Sequence, residues 1–305
     1  MLARSNSLRV VDLFSGCGGM SRGFEKAGFQ VVAAFDNWRP AVDVYRLNFN
    51  HPIHTLDLSE PAAISEIRDY LPDVIVGGPP CQDFSIAGHR NFGGRRANLT
   101  LRFAEIVVNV RPRFFLMENV YNIQKTEILK EVLAMLSKEG YGLTHGVFDA
   151  SLMNCPQRRR RYLIIGELGG TAESFRPDLA NRMAGQTMTV RDYLGDRLGT
   201  DYYYMHPRSY ARRAIFSIDE ASSTIRGVNR PMPDSYKFHP ADATTSREQV
   251  RALSAVERSW LQTFPEDFVF QGSRTVVEQM IGNAVPVEMA SFVAECIGER
   301  DNVGV

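Results

Sequence analysis

A cysteine stands where a nucleophile would be useful. Residues 77–85 read Gly77-Gly78-Pro79-Pro80-Cys81-Gln82-Asp83-Phe84-Ser85, directly after the apolar run Val74-Ile75-Val76. Two prolines stiffen the approach, so the thiol is held in one pose at the end of a buried strand. That is where an open α/β sheet presents reactive groups. A second strand end, Phe115-Leu116-Met117-Glu118-Asn119-Val120, carries a carboxylate. If the two strands are neighbours, Cys81 and Glu118 share one compact site. It would pair a sulfur nucleophile with a carboxyl able to share a proton with a heteroaromatic base. Each residue alone has a plainer reading. A free cysteine is most often a small buried hydrophobe, and a glutamate at a strand terminus is often a surface charge.

A third constellation is Asp12-Leu13-Phe14-Ser15-Gly16-Cys17-Gly18-Gly19, a strand followed by a glycine-rich turn that opens a helix. Glycines allow close backbone approach to a ligand, and the helix N-terminus favours a polar or anionic group. The spacing is not GxGxxG, which argues against a dinucleotide fingerprint. Asp36 ends the next strand about 20 residues on, where an acid typically grips ribose hydroxyls. Asp57 follows the short segment Ile53–Leu56 and is placed to meet an exocyclic amine. Both aspartates also read as turn formers or helix caps.

The elements that must position these residues alternate. Strand-like runs at 8–14, 31–35, 73–76, 113–117, 141–148 and 162–165 are interleaved with helical segments at 20–27, 40–48, 62–70, 99–110 and 127–138. This predicts an α/β fold with a mostly parallel sheet covered on both faces. The pattern breaks after Gly166. Residues 167–250 are rich in Gly, Pro, Ser, Thr and Arg without sustained periodicity, and helical signals return at 254–262 and 287–296.

The 305 residues are 44% hydrophobic and 23% charged, as in an ordinary globular protein. No apolar run of membrane-spanning length and no signal-peptide pattern is evident. Cys17, Cys81, Cys155 and Cys296 lie far apart, with no metal-ligand spacing, which suits free thiols in a reducing compartment. Net charge is zero, but its distribution is uneven. Residues 88–113 hold six arginines against one acid, and residues 158–161 are four consecutive arginines. Such stretches suit a phosphate-lined partner or a solvated surface.

The blocks Asp12–Gly19, Gly78–Ser85 with its Pro-Cys-Gln core, Glu118-Asn119-Val120, Gln157–Tyr162 and Ile281–Pro286 occur in that order. Together they resemble the DNA cytosine-5 methyltransferase family, and Leu253–Pro265 resembles the family's block before its last motif. The resemblance spans residues 9–166 and about 250–297. It implies a Rossmann-like S-adenosylmethionine-binding domain at 1–166 plus 270–305, and a smaller, irregular target-recognition domain at 167–269.

The resemblance also implies roles. S-adenosylmethionine is the methyl donor, with no metal. Phe14, Gly16, Gly18 and Gly19 would wrap it, Asp36 would bind its ribose and Asp57 its adenine amine. The Pro80 backbone and Leu99 would approach its amino-acid part or its sulfonium side, and Asn283 would steady the cysteine loop or the arginines around that cofactor site. Cys81 would add to cytosine C6, Glu118 would hold N3 and the exocyclic amine, and Arg159 and Arg161 would sit beside the base. Ser85 and Arg96, in a loop that moves in the family, and Thr224-Ile225, matching a Thr-Leu signature, would contact DNA.

Where many members have an acid before an Arg-Gly step, this chain has Gly94-Arg95-Arg96-Ala97. The compact form is similar to bacterial or phage enzymes of restriction–modification type. That implies a cytoplasmic monomer acting on double-stranded DNA, with a cognate restriction endonuclease encoded separately. The related branch that methylates transfer RNA usually carries Cys-Phe-Thr in the variable segment, and this chain has none. A silent DNA-binding relative would need no thiol. A nicotinamide-dependent oxidoreductase is opposed by the turn spacing.

Overall fold

The computed structural model describes residues 7–80, 99–209 and 211–303. Cys81, Ser85 and Arg96 lie outside the described residues. The chain divides into two compact units. The first comprises residues 1–148, 160–182 and 290–305, the second 149–159 and 183–289.

The first unit is built on seven strands. In chain order its elements are β1 (Arg9–Leu13), α1 (Gly19–Lys26), β2 (Gln30–Asp36), α2 (Arg39–Asn48), β3 (Ile53–Thr55), α3 (Ala63–Asp69), β4 (Val74–Gly77), α4 (Leu99–Val110), β5 (Phe114–Val120), α5 (Glu127–Lys138), β6 (Tyr141–Asp149), β7 (Arg160–Leu168) and α6 (Arg176–Arg182). The strand order is β3-β2-β1-β4-β5-β7-β6. β1 to β5 pair in parallel, and β7 runs antiparallel to β5. Val10, Val11, Leu13, Val74, Ile75, Val76 and Phe114 to Met117 are buried, as expected for strands covered on both faces. α5 shows how sequence sets an element. Thr126 caps it by accepting from Leu129 N, Glu127 complements the N-terminal dipole, and Leu129, Val132 and Leu136 bury one stripe.

The order in which successive strands are added reverses at β1, with β2 on one side and β4 on the other. That switch point is where doubly wound sheets hold ligands. The register aligns Leu13 with Gly77 and Gly77 with Met117, so the next residues, Phe14, Gly78 and Glu118, emerge at one level.

The second unit holds α7 (Val190–Leu194), a small sheet of β8 (Tyr202–Tyr204), β9 (Ile215–Ser217) and β10 (Val250–Ala252) in the order β10-β8-β9, then α8 (Ala255–Leu261) and α9 (Arg274–Asn283). A cluster including Val190, Leu194, Tyr203, Phe216, Ile225, Leu261, Val277 and Ile281 forms its core. The last helix, α10 (Val287–Val303), starts in this unit and ends in the first.

The units divide differently from the boundaries expected at 166/167 and 269/270. Residues 149–159 belong to the second unit. So does α9, because Val277 and Ile281 are part of its apolar core. The expectation of no membrane-length apolar run also needs correction. Residues 274–301 are long and apolar enough by composition, but that stretch is mostly buried, as a core helix is.

Candidate active site

The glycine-rich turn leaves β1 with two left-handed residues, Phe14 (φ 55°) and Gly16 (φ 54°). A non-glycine residue in that region is strained, and such strain clusters at functional sites. Gly18 (φ 97°) forms the N-cap of α1, and its N–H donates to Ser15 O at 2.9 Å. A Cβ on Gly18 would lie 2.3 Å from the Phe49 ring, whereas one on Gly16 would meet nothing within 4 Å. Gly18 is therefore required by packing, and Gly16 opens space at the strand end. Gly18→Ala is expected to destabilise the fold by about 2–5 kcal/mol. A thermal melt showing an unchanged Tm would contradict this.

Asp36 ties the turn to β2. Its carboxylate accepts from Gly16 N at 2.8 Å and from Trp38 N at 2.7 Å. Burial raises its pKa, partly offset by these backbone donors. Asp57 is exposed. It accepts from Ser59 N at 2.9 Å, which lowers its pKa and gives it the turn-forming geometry. The expected methyl donor fits this end of the sheet by two observations. Gly16 leaves an open cradle, and the neighbouring residue's Ser15 Oγ is a buried oxygen with no partner among the described residues. Pro80 is exposed at the end of the β4 segment, and Leu99 is half-buried at the first position of α4.

Glu118 is nearly buried at the end of β5, and a Cβ on Gly78 would lie 3.3 Å from its Oε2. The carboxylate therefore borders the backbone three residues before Cys81. Arg161 Nε meets Glu118 Oε1 at 2.7 Å, with side chains only 14% and 10% exposed. Strand pairing explains this: Glu118 opposes Leu163 and Val120 opposes Arg161, so glutamate and arginine are diagonal neighbours. A charge-assisted pair of this kind holds a carboxylate in a fixed orientation.

The four arginines of 158–161 fall on both sides of the unit boundary. In the first unit, Arg160 lies over the Tyr121 ring at 5.3 Å and Arg161 meets Glu118. In the second unit, Arg159 is buried and donates to the carbonyls of Ile225, Gly282 and Ala284 at 3.0, 3.1 and 2.9 Å. Asn283 itself is exposed at the end of α9, and the carbonyls on either side of it hold Arg159. Thr224 Oγ1 donates to Arg158 O at 2.7 Å. The Ile225 side chain, expected at the DNA, is fully buried in the core of its unit.

Sequence reasoning missed three residues. Asn119 Nδ2 donates to Pro79 O at 3.1 Å, clamping the strand that leads to Cys81. Its position inside the Glu-Asn-Val block was the available signal. Trp38 caps α2 and bonds Asp36 through its backbone. Asp12, beneath the turn, accepts from Ser21 N at 3.1 Å and Ser21 Oγ at 2.6 Å, and burial pushes its pKa up to about 7. The folded state thus keeps a proton that the unfolded chain has already lost above its ordinary carboxylate pKa. Stability from this group is present below pH ~4 and falls as pH rises towards about 7. Asp12→Asn retains the acceptor without the charge. It is expected to raise Tm by several degrees at pH 8, with the gain vanishing at pH 4. A pH-independent difference would contradict the assignment.

The three described cysteines are unsuited to nucleophilic chemistry. Cys17, Cys155 and Cys296 are free and buried, and burial raises all three thiols, Cys17 and Cys296 to about 12.

The sequence profile of the C-5 cytosine-specific DNA methylase family matches residues 8–299. Type II methyltransferase M.HindV of Haemophilus influenzae is 51% identical over 292 residues, covering 95% of this chain and 96% of the relative. Type II methyltransferase M.HgiDI of Herpetosiphon aurantiacus is 54% identical over 288 residues, covering 94% and 93%. In fold, the crystal structure of the S. pombe Dnmt2 methyltransferase aligns with a TM-score of 0.75 at 22% identity, covering 97% of this chain and 99% of that one. A carboxylate and an arginine locked together beside the proline-stiffened approach to Cys81, over a glycine-rich turn at the switch point, therefore have a family: the chain belongs to the C-5 cytosine-specific DNA methylases and is a DNA (cytosine-5-)-methyltransferase.

Proposed function

We propose that the protein methylates C5 of one cytosine in a specific double-stranded DNA sequence, through a covalent bond between Cys81 Sγ and cytosine C6. The observation that carries this reading is the Glu118–Arg161 pair, fixed at 2.7 Å beside Gly78 on the strand that leads into the Pro-Cys-Gln block.

Cytosine C5 is too poor a nucleophile to be alkylated directly. In the proposed cycle the Cys81 thiolate adds to C6, and the ring electrons shift to make C5 enamine-like. Glu118 holds N3 and the exocyclic amine and shares the proton that N3 needs as charge develops. Arg161 keeps that carboxylate aimed. S-adenosylmethionine, when bound, supplies an electrophilic methyl group to C5. Phe14, Gly16 and Asp36 would hold it, with Trp38 at the same strand end. Loss of the C5 proton then expels Cys81 and restores the aromatic ring. Because C5 and C6 are stacked inside a duplex, the cytosine must leave the helix, at a cost of a few kcal/mol. Asn119 serves as a positioning residue through Pro79. A separately encoded endonuclease blocked by this methylation is the partner this reading implies.

Bisulfite sequencing of plasmid DNA from cells expressing the protein tests the reading. Full protection of cytosine in one sequence context is expected. Uniform conversion in the presence of folded, expressed protein would overturn it.

A further inference from the structure

A path of polar side chains that methyl transfer does not use leads from beneath the glycine-rich turn to the surface of the first unit. Asp12 on β1, Ser21 on α1 and Tyr45 on α2 are all buried. Ser21 Oγ lies 2.6 Å from Asp12 Oδ2, Tyr45 Oη 2.6 Å from Ser21 Oγ, and His51 Nε2 2.6 Å from Tyr45 Oη. On its other side His51 Nδ1 faces Glu25 Oε1 at 3.3 Å, and there the path reaches solvent, with side chains 11% and 29% exposed. Ser21 and Glu25 stand four residues apart on one face of α1, so one helix holds both points that Tyr45 and His51 bridge. The Tyr45 ring is fixed by stacking on Phe49 at 4.2 Å and by an edge contact with His51 at 5.5 Å.

Counting donors shows what this path can do. The links Asp12–Ser21, Ser21–Tyr45 and Tyr45–His51 each need one proton, and the two hydroxyls supply one each. The remaining proton sits at one end, on Asp12 or on His51 Nε2. With Nδ1–H directed at Glu25, a proton on Nε2 makes His51 an imidazolium paired with that carboxylate. In one arrangement, then, His51 is cationic, Asp12 is ionised, and both hydroxyls point towards Asp12. In the other, His51 and Asp12 are neutral and both hydroxyls point towards His51. The first becomes the second when Tyr45 Oη takes the proton from His51 Nε2, Tyr45 gives its own to Ser21 Oγ, and Ser21 gives its own to Asp12 Oδ2. Each hydroxyl ends as it began, and the total charge is unchanged.

We propose that Ser21, Tyr45 and His51 form a relay that carries one proton between the Asp12 carboxyl and the surface, so that the charge beneath the glycine-rich turn follows solution pH without the turn opening. The buried end favours the neutral arrangement. Burial above all, and also the charge of Asp36, push the pKa of Asp12 up to about 7 against the opposing Ser21 bonds. Asp12 Oδ1 is buried without a partner among the described residues, which is costlier for a charged carboxylate than for a neutral one. Burial also raises the Tyr45 phenol, so it passes a proton along rather than losing one. The other groups facing the path leave it intact. The Cys17 thiol near Asp12 is pushed up to about 12 by burial, and Arg22 and Glu25 near Tyr45 pair with each other at 3.3 Å. The relay is independent of what the turn binds.

Proton–nitrogen NMR correlation spectra of the full-length protein labelled at histidine test this, because they report which ring nitrogen carries the proton. His51→Gln identifies the signals. Just below pH 7 the wild type is expected to show His51 protonated at Nδ1 and bare at Nε2. Asp12→Asn keeps an acceptor for both Ser21 donors but has no proton to return, so Nε2 is expected to become protonated. Tyr45→Phe removes the linking hydroxyl and keeps the stacked ring, and in that background Asp12→Asn is expected to leave His51 unchanged. Ser21→Ala interrupts the same path and carries the same expectation. Melting curves establish that each variant is folded. The same Nε2 state in wild type and Asp12→Asn would overturn the relay. So would a response of His51 to Asp12→Asn that survives both Tyr45→Phe and Ser21→Ala, because an effect of charge through space needs neither hydroxyl.

Discussion

Cys81→Ser lowers kcat by about 10⁴-fold or more, the scale of losing a covalent nucleophile, while duplex binding stays within a few-fold of wild type. The reason is chemical. A serine hydroxyl is not ionised near neutral pH, so it cannot add to C6, and without that addition C5 never becomes a nucleophile. No other thiol is positioned to substitute, because Cys17, Cys155 and Cys296 are buried with raised pKa values. Methyl transfer from labelled S-adenosylmethionine gives the rate, and anisotropy with a labelled duplex gives the binding. A serine variant with near-normal turnover would remove the covalent step from the mechanism.

Glu118→Gln is expected to reduce kcat by about 10²–10⁴-fold, the range of a lost general acid–base partner, with only a small change in KM for DNA. Glutamine has nearly the same shape and still fits beside Gly78, where the carboxylate oxygen now lies 3.3 Å from a would-be Cβ. It cannot share a proton with N3, and it breaks the ion pair with Arg161. The split between kcat and KM is the informative readout. A glutamate that only braces Arg161 would lower stability and substrate affinity together, and its glutamine variant would turn over at the wild-type rate under saturating DNA. That outcome would move Glu118 out of the chemistry.

Much of the first unit was legible because two signals coincide there. Apolar runs of strand length alternate with amphipathic segments, so the observed bounds of α4 and α5 match those expected, and β1, β2 and β4 agree to within a residue or so at each end. The pairing of β4 with β5 is what brings Glu118 to the backbone that precedes Cys81, and the sequence could state that only conditionally. The antiparallel course of β7 was not legible, since a buried strand looks the same in either direction. That course also decides which arginine meets Glu118. Within the run of four arginines the resemblance singles out Arg159 and Arg161 alike, but Arg161 lies on β7 opposite Val120, whereas Arg159 precedes the strand and is held by three carbonyls of the other unit's own core. The second unit was opaque for another reason. Its strands are three residues long, too short for a period to register, and its loops are tied to the apolar core by side-chain-to-backbone bonds such as those of Asn229 and Gln157. Asp36 and Asp57 show a further limit. Both take part in turn or backbone bonds whatever they bind, so residue type alone does not separate the two roles.

The central claim is that a sulfur–carbon bond forms between Cys81 and the target ring. A duplex whose target cytosine bears fluorine at C5 tests it most directly, because no C5 proton can then be lost and the adduct cannot collapse. Incubation with S-adenosylmethionine, followed by denaturing electrophoresis and peptide mass analysis, is predicted to show the DNA covalently attached at Cys81 and a methyl group on the trapped ring. Failure to capture any adduct, with a duplex that is otherwise methylated efficiently, would contradict the account.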